Sequence, residues 1–360
     1  MKLASILARH SRLGFWAVIL FAGNQVLEGV LIALGNGSYS RLCYWDCTWY
    51  SSIVAHGYDF EPRGHDQGDA ANWAFFPLLP LLAAGIHGAT GLLPPTSLIL
   101  SGKLCFLLSI FAFMKFTQAY GAKVPPIVAG ALVAFSPYAI YGSTGYTEPL
   151  FLLLTCLSFY LWKTKRYVAS GLGGAGLSGV RLVGGFFALS LLVGGFRERL
   201  WGAEAARSRF LLGLFLAPLG VALFMTYLYF WMGDALSFVH VMKAWGRIPG
   251  NPLSHLLAYL QGDGLARLWA VMVLLAFALI GRLIRDRRYE LAAFSLPATL
   301  LPLSTGLVSM PRYLWWQAPL LLALAETLRE TKLWPLYVPI AVLGLTWMYH
   351  AWMAGKSFVI

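Results

Sequence analysis

The chain reads as an all-α polytopic membrane protein, and three observations carry that reading. Apolar residues make up 59% of the 360 residues and charged residues only 12%. A soluble domain averages roughly 45–50% apolar and about 25% charged. Apolar runs of near-spanning length recur along the whole chain, and a helix needs ~20 such residues to cross a bilayer. Lys and Arg also concentrate in alternate loops, as the bias of cytoplasmic loops requires. Length alone would suggest two soluble domains, but 12% charge cannot coat a water-facing surface. Disorder is excluded too, because 15% aromatic residues need burial.

The first span is expected at about Leu13–Leu34, behind a basic start with Lys2, Arg9 and Arg12. Its apolar stretch is too long for a signal-peptide core, and Asn24, Gln25 and Glu28 should face other helices. Residues 36–96 form a long acid-rich loop with Asp46, Asp59, Glu61, Asp66 and Asp69. Within it, Phe75–Gly91 is apolar but short and carries Pro77 and Pro80. Further apolar runs lie near 97–117, 124–141, 147–163, 167–180, 182–196, 209–232, 265–284, 289–307, 312–328 and 334–354.

Parity decides how to treat Phe75–Gly91. If it does not cross, the inside segments collect Lys2, Arg9 and Arg12; Lys115 and Lys123; Lys163, Lys165 and Arg166; Arg197, Arg199, Arg207 and Arg209; Arg282, Arg285, Arg287 and Arg288; and Arg329 and Lys332. That is 18 of the 27 Lys and Arg. About eleven transmembrane helices follow, with a cytoplasmic N-terminus and interfacial or re-entrant helices in 36–96. The chain is then a single transmembrane domain, 1–360, whose second extracytoplasmic loop is 233–264. The net charge of +12 reflects topology and anionic-lipid contact, not nucleic-acid binding. The Gly-rich stretch from Gly171 to Gly185 suits short helices in close contact.

Cys43 and Cys47 share the first loop and read as small residues, with no metal spacing among the four cysteines. His56 and His65 read as loop residues, Asp59, Glu61, Asp66 and Asp69 as solvated acids, and Asn36-Gly37-Ser38 matches a glycosylation sequon.

The remaining unusual residues gather on the outer face: Tyr44-Trp45-Asp46-Cys47-Thr48-Trp49-Tyr50, His56-Gly57-Tyr58, Glu148 after Tyr146-Thr147, Lys243-Ala244-Trp245-Gly246-Arg247, and Pro311-Arg312-Tyr313. Acids, guanidinium groups and aromatics converging at one face suit a substrate that is part lipid and part sugar or phosphate. Intramembrane charge such as Arg181 is functional by default, although pairing with Glu28 would be a structural alternative.

In order, Trp45-Asp46-x-x-Trp49-Tyr50, His56-Gly57-Tyr58, Phe75-Phe76-Pro77-Leu78-x-Pro80, Ser136-Pro137 ahead of Tyr146-Thr147-Glu148, Gly179-Val180-Arg181, Ala244-Trp245-Gly246-Arg247 and Arg312-Tyr313 resemble the GPI mannosyltransferase 2 (PIG-V) family, within the GT-C superfamily of membrane glycosyltransferases. Departures are small: family members often carry Ser or Gly at Cys47 and Arg at Tyr44. The short loops point to a bacterial homologue in a cytoplasmic membrane.

The resemblance implies a GT-C glycosyltransferase fold and transfer of mannose from a polyprenyl-phosphate-mannose donor to an acceptor hydroxyl at the extracytoplasmic face. It implies Asp46 as the catalytic residue. The chemistry agrees, because a phosphate leaving group needs no general acid and one carboxylate suffices as base. Glu148 is the second catalytic candidate, serving the acceptor or a metal, with a helix-capping role as its rival. Arg312 and Arg247, then Arg181 and Lys243, are candidates for the donor phosphate. Trp45, Trp49, Tyr50, Tyr146, Trp245 and Tyr313 are candidates for sugar or acceptor contact, with an interfacial aromatic belt as the alternative. A divalent cation is an open candidate with no ligand set legible. The acceptor is a glycolipid, polysaccharide or protein. A transporter or flippase of a lipid-linked sugar is the competing class; it would place Asp46 and Glu148 along a path through the bilayer rather than in one outward cavity.

Overall fold

The computed structural model describes residues 2–35, 37–65, 68–202 and 204–356, with the side chains of 2–10 and His65 excepted. Asn36 of the sequon and Asp66 of the acid cluster lie outside the described residues, as do the side chains of Lys2, Arg9 and His65. The described residues form helices α1 (Lys2–Leu34) and α2 (Asp46–His56), a hairpin of β1 (Arg63–His65) and β2 (Gly68–Ala70), then α3 (Leu78–Thr90), α4 (Pro94–Ala119), α5 (Pro126–Ala134), α6 (Glu148–Lys163), α7 (Tyr167–Val180) and α8 (Phe187–Arg197). There follow α9 (Glu204–Leu216), α10 (Leu219–Met232), α11 (Ser237–His240), α12 (Pro252–Gln261), α13 (Leu265–Arg285), α14 (Tyr289–Leu303), α15 (Met310–Trp315), α16 (Ala318–Glu330) and α17 (Trp334–Met353). The hairpin pairs Arg63 with Ala70 and is the one departure from helix in the first loop among the described residues.

Among the described residues, four helical segments are long and apolar enough to cross a bilayer: Ser11–Leu34, Pro94–Ala119, Glu204–Met232 and Leu265–Arg285. Their outer faces stay apolar although exposed, as Val26, Phe230 and Leu274 show. Other expected spans are shorter or broken, and at two of them proline is the reason. The 124–141 run yields only the nine residues of α5, because Ser136-Pro137 follows its end at Ala134. The 312–328 run divides into α15 and α16 around Gln317 and Pro319. Pro218 sits between α9 and α10 without breaking the Glu204–Met232 segment as a span. Proline lacks the N–H that a continuing helix needs. Helix α3, 13 residues long, rises only ~20 Å at ~1.5 Å per residue, short of a ~30 Å hydrocarbon core.

The core is built around α4 and α6. An aromatic spine runs through it, with Phe159 meeting Phe116 at 6.1 Å, Phe187 at 5.0 Å and Phe294 at 5.8 Å. Small residues let α7 press against α9 and α10. A Cβ on Gly171 would lie 2.1 Å from the Gly213 carbonyl oxygen, and one on Gly220 would lie 2.0 Å from that of Ala175. Backbone contact this close is the expected use of small residues between membrane helices.

The bundle has two chemically distinct ends. At one, Arg288 pairs with Glu326 and donates to the Tyr120 carbonyl, Arg282 pairs with Glu330, and Lys163 and Arg197 share Glu290. The basic loops that the parity argument grouped therefore meet in space. The residues singled out for chemistry lie at the opposite end. Between them, Glu28 accepts from Lys103 Nζ at 2.7 Å and from the Tyr349 hydroxyl at 2.6 Å. Glu28 is thus not the partner of Arg181, contrary to the structural alternative considered for that pair.

Candidate functional site

Asp46 is the first residue of α2, at the positive end of the helix dipole. Trp45 immediately before it has φ +54° and ψ −118°, a strained conformation for a bulky side chain. The backbone N–H of Asp46 donates to the Tyr146 hydroxyl at 3.2 Å, and that hydroxyl in turn donates to the Tyr44 carbonyl at 3.4 Å. Tyr146 is therefore 1% exposed, an internal strut and not part of an aromatic belt.

A chain of ion pairs starts at Asp46. Its Oδ2 accepts from Arg312 Nη1 at 2.9 Å, and Arg312 Nε lies 3.1 Å from Glu148 Oε1. Arg181 Nη2 pairs with the same Glu148 oxygen, and its Nε donates to Thr147 Oγ1 at 2.8 Å. Arg312 also donates to the Tyr313 hydroxyl at 3.2 Å and lies against the rings of Tyr141, Tyr146 and Tyr313. Arg181 also lies against the Tyr313 ring, at 5.2 Å. Arg247 donates to Ser309 Oγ at 3.2 Å, three residues before Arg312.

Burial grades the group. Glu148 is fully buried and Arg312 is 4% exposed, whereas the Asp46 side chain is 23% exposed. Glu148 Oε2 is buried and has no hydrogen-bond partner among the described residues. An unpaired buried polar atom is costly, so a carboxylate left this way is held by surrounding charge rather than by local stability.

Beside Asp46, Trp49 stacks on Phe75 at 6.0 Å and meets Trp245 edge-on at 5.5 Å, and Tyr50 packs edge-on against Phe75 at 5.0 Å. Burial pushes the Tyr50 phenol well up, partly offset by Arg181, so it stays protonated. The His56-Gly57-Tyr58 segment fixes this wall from behind. The Tyr58 hydroxyl donates to the Phe75 carbonyl at 2.8 Å, and burial holds that phenol protonated too. Asn72 bonds to Gly57 and to the backbone N–H of Asp59, and the Trp73 indole donates to the Asp59 carbonyl. The Asp59 carboxylate accepts from the Asn72 backbone N–H and from Arg63, and its side chain is only 8% exposed. It is a lock within the loop, not the solvated acid expected.

Asp46, Glu148, Arg312, Arg181, Arg247, Trp49, Tyr50, Trp245, Tyr146 and Tyr313 thus gather in one region. Trp45 flanks it with its indole N–H buried and unpaired among the described residues. Lys243 is exposed and forms no ion pair with these acids among the described residues. Among the same residues no three His, Cys, Asp or Glu side chains come together as a metal would need; both acids face arginine instead.

Three participants escaped sequence reasoning. Thr147 and Ser309 each accept from an arginine, and their only sequence signal is proximity to Glu148 and Arg312. Cys43 and Cys47 form a disulfide, which corrects their reading as merely small residues. Their four-residue separation across Asp46 was the available clue. Beside the cluster, Tyr138, Leu265, Leu268, Trp269 and Trp347 line an opening that reaches Arg312, and Leu268 and Trp347 are exposed on the outer surface.

No protein-family model matches the chain. Among curated proteins, GPI alpha-1,6-mannosyltransferase 2 of Cricetulus griseus is 32% identical over 172 residues, covering 44% of this chain and 31% of that protein. The Homo sapiens protein of the same name is 31% identical over 224 residues, covering 56% and 43%. The chain thus spans about a third to two fifths of the curated relatives it matches. Among solved structures, ArnT from Cupriavidus metallidurans bound to undecaprenyl phosphate aligns with a TM-score of 0.50 at 15% identity, over 92% of this chain and 62% of that one. The chain is accordingly a multi-pass membrane protein with the GT-C glycosyltransferase fold, similar in sequence to the GPI alpha-1,6-mannosyltransferase 2 proteins.

Proposed function

We propose that this protein is an inverting mannosyltransferase, moving mannose from a polyprenyl-phosphate-mannose donor to an acceptor hydroxyl at the extracytoplasmic face. The observation that carries the proposal is the shared carboxylate: Glu148 Oε1 holds both Arg312 and Arg181, and Arg312 extends to Asp46. Counting Arg247, three cations face two carboxylates and leave one positive charge. A donor phosphodiester carries one negative charge and balances it. As the sugar leaves, charge grows on the phosphate, and preorganised guanidinium groups stabilise that charge where water is excluded.

Asp46 takes the base role because it is the accessible acid. Only its Oδ2 is engaged by Arg312, so the other oxygen can take the proton of the acceptor hydroxyl as that hydroxyl attacks the anomeric carbon. Fully buried Glu148 positions the two arginines instead. Trp49, Phe75 and Trp245 offer faces and edges for a sugar ring. The apolar opening past Leu268 and Trp347 lets a polyprenyl tail remain in lipid while its phosphate reaches Arg312. Support for mannose comes from the named relatives, and support for a polyprenyl phosphate from the molecule bound to ArnT. The acids meet on one arginine at one end of the bundle, which suits an enzyme better than a carrier. A glycolipid, polysaccharide or protein of the cell envelope supplies the acceptor.

Purified protein given radiolabelled polyprenyl-phosphate-mannose and a membrane lipid extract tests this. Labelled product that disappears with Asp46→Asn, while the donor still binds, is the expected result. Full transfer by Asp46→Asn would remove Asp46 from the base role, and no transfer to any acceptor fraction would count against the reaction itself.

A further inference from the structure

The disulfide closes a loop of Cys43, Tyr44, Trp45, Asp46 and Cys47 directly around the proposed base. Neither sulfur is incidental to the packing. Cys47 is fully buried and Cys43 is 9% exposed. Cys47 Sγ sits so close to Gly145 that a Cβ there would lie 2.7 Å from it. Gly145, with φ +70°, ends the turn that leads into Tyr146, Thr147 and Glu148. The disulfide therefore wedges the Asp46 loop against the start of α6, beside the two hydrogen bonds of the Tyr146 hydroxyl.

We propose that the Cys43–Cys47 disulfide is the positioning element for Asp46, formed in an oxidising compartment onto which the site end of the bundle opens. The activity arm of this proposal rests on the mannosyltransferase reading; the rest does not. A free chain has little reason to hold Trp45 at φ +54°, because the left-handed region is unfavourable for bulky residues. Cross-linking 43 to 47 removes the extended alternatives of the intervening residues and leaves Asp46 to start α2 facing Arg312. The location of the pair is informative as well. Cys105 and Cys156 are free and buried within α4 and α6, whereas the bonded pair is at the end that holds the site. Disulfides persist in oxidising compartments and are rare where glutathione and thioredoxin keep thiols reduced. Their formation balances simply. The two thiols lose two protons and two electrons to a disulfide-bearing oxidant, which departs as two thiols, and a dithiol or phosphine reductant reverses the change.

Three measurements on the full chain decide it. Cells are quenched in acid, thiols are alkylated under denaturing conditions, and the mass is read before and after reduction. Two alkylated cysteines without reduction and four with it are expected; four without reduction overturns the proposal. Amide exchange is then compared between the wild type and Cys43→Ser/Cys47→Ser in membranes. Exchange over residues 44–50 should accelerate at least tenfold with α4 unchanged, and equal exchange at 44–50 overturns the positioning role. In the transfer assay the same variant should lose about tenfold in kcat, with donor KM within twofold, and an unchanged kcat overturns it. If the variant does not fold, phosphine-reduced wild type replaces it. Transfer should then fall and recover in step with the thiol count on reoxidation, and transfer independent of the count overturns the role. A wild type that transfers no sugar defeats the mannosyltransferase reading while thiol count and exchange still report.

Discussion

The two ends of the bundle use the same residue types to opposite effect. At the basic end two carboxylates each meet an arginine with both oxygens, Glu326 binding Arg288 at 2.7 and 2.9 Å and Glu330 binding Arg282 at 2.6 Å twice, while Glu290 gives one oxygen to Lys163 and the other to Arg197. At the site end Glu148 spreads one oxygen over two arginines and leaves the other unpaired, while Arg312 reaches on to Asp46. The first pattern is closed, because fork-to-fork pairing satisfies donors and acceptors locally. The second is open, with surplus cation and an unsatisfied acceptor held away from water. Solvent sharpens the contrast, since Glu330 is 55% exposed and Glu148 not at all. An ion-pair network at a membrane protein's end is thus no evidence of a site by itself; Glu290 is also buried and shared, and it is the unpaired buried oxygen of Glu148 that distinguishes the site end.

That contrast breaks most readily at Arg312. Arg312→Ala strips the partner from Asp46 and one of the two partners of buried Glu148, so transfer should fall by at least about a thousandfold. Losing one member of a buried pair also costs about 3–5 kcal/mol, which thermal unfolding in detergent would register. Asp46→Asn comes next. Asn still accepts from Arg312, so the melt should hold while transfer drops by about 10²–10⁴-fold, the usual range for a lost general base. Glu148→Gln should follow with a loss of about 10–100-fold and weaker donor binding, because both arginines lose their common anchor; a donor-binding titration checks it. At the closed end Glu330→Gln should change stability by no more than ~1 kcal/mol, as exposed pairs do, and leave transfer intact. Exposed Lys243→Ala should do least, with kinetics equal to the wild type. Equal losses from Glu330→Gln and Glu148→Gln would erase the distinction between the two ends.

Much of the site was legible in the chain itself. Asp46 stood out in its acid-rich loop through the Trp45 and Trp49 frame, whereas Glu148 at a proline-started helix and Arg312 before Tyr313 break an apolar background, where charge is expensive enough to mark a candidate. Lys243 sat in an equally conspicuous segment, yet it points to solvent, because adjacency to Trp245 and Arg247 says nothing about which way a short helical turn faces. Asp59 was misread for the converse reason: its partners, Asn72 and Trp73, are 13 and 14 residues away. The cysteine pair was visible, but a spacing of four is compatible with free thiols until the backbone between them is known to turn back.

Composition and periodicity determined that the chain is helical and membrane-embedded, and the spacing of Lys and Arg determined which loops share an end. These follow from bulk transfer costs, which sum over residues regardless of partner. Only the tertiary structure decided that prolines would cut two expected spans into shorter helices, that Glu28 would take Lys103 and Tyr349, and that Arg312 would join Asp46 to Glu148. Those choices belong to contacts between residues up to 321 positions apart, where geometry after packing, and not the identity of either residue, selects the partner.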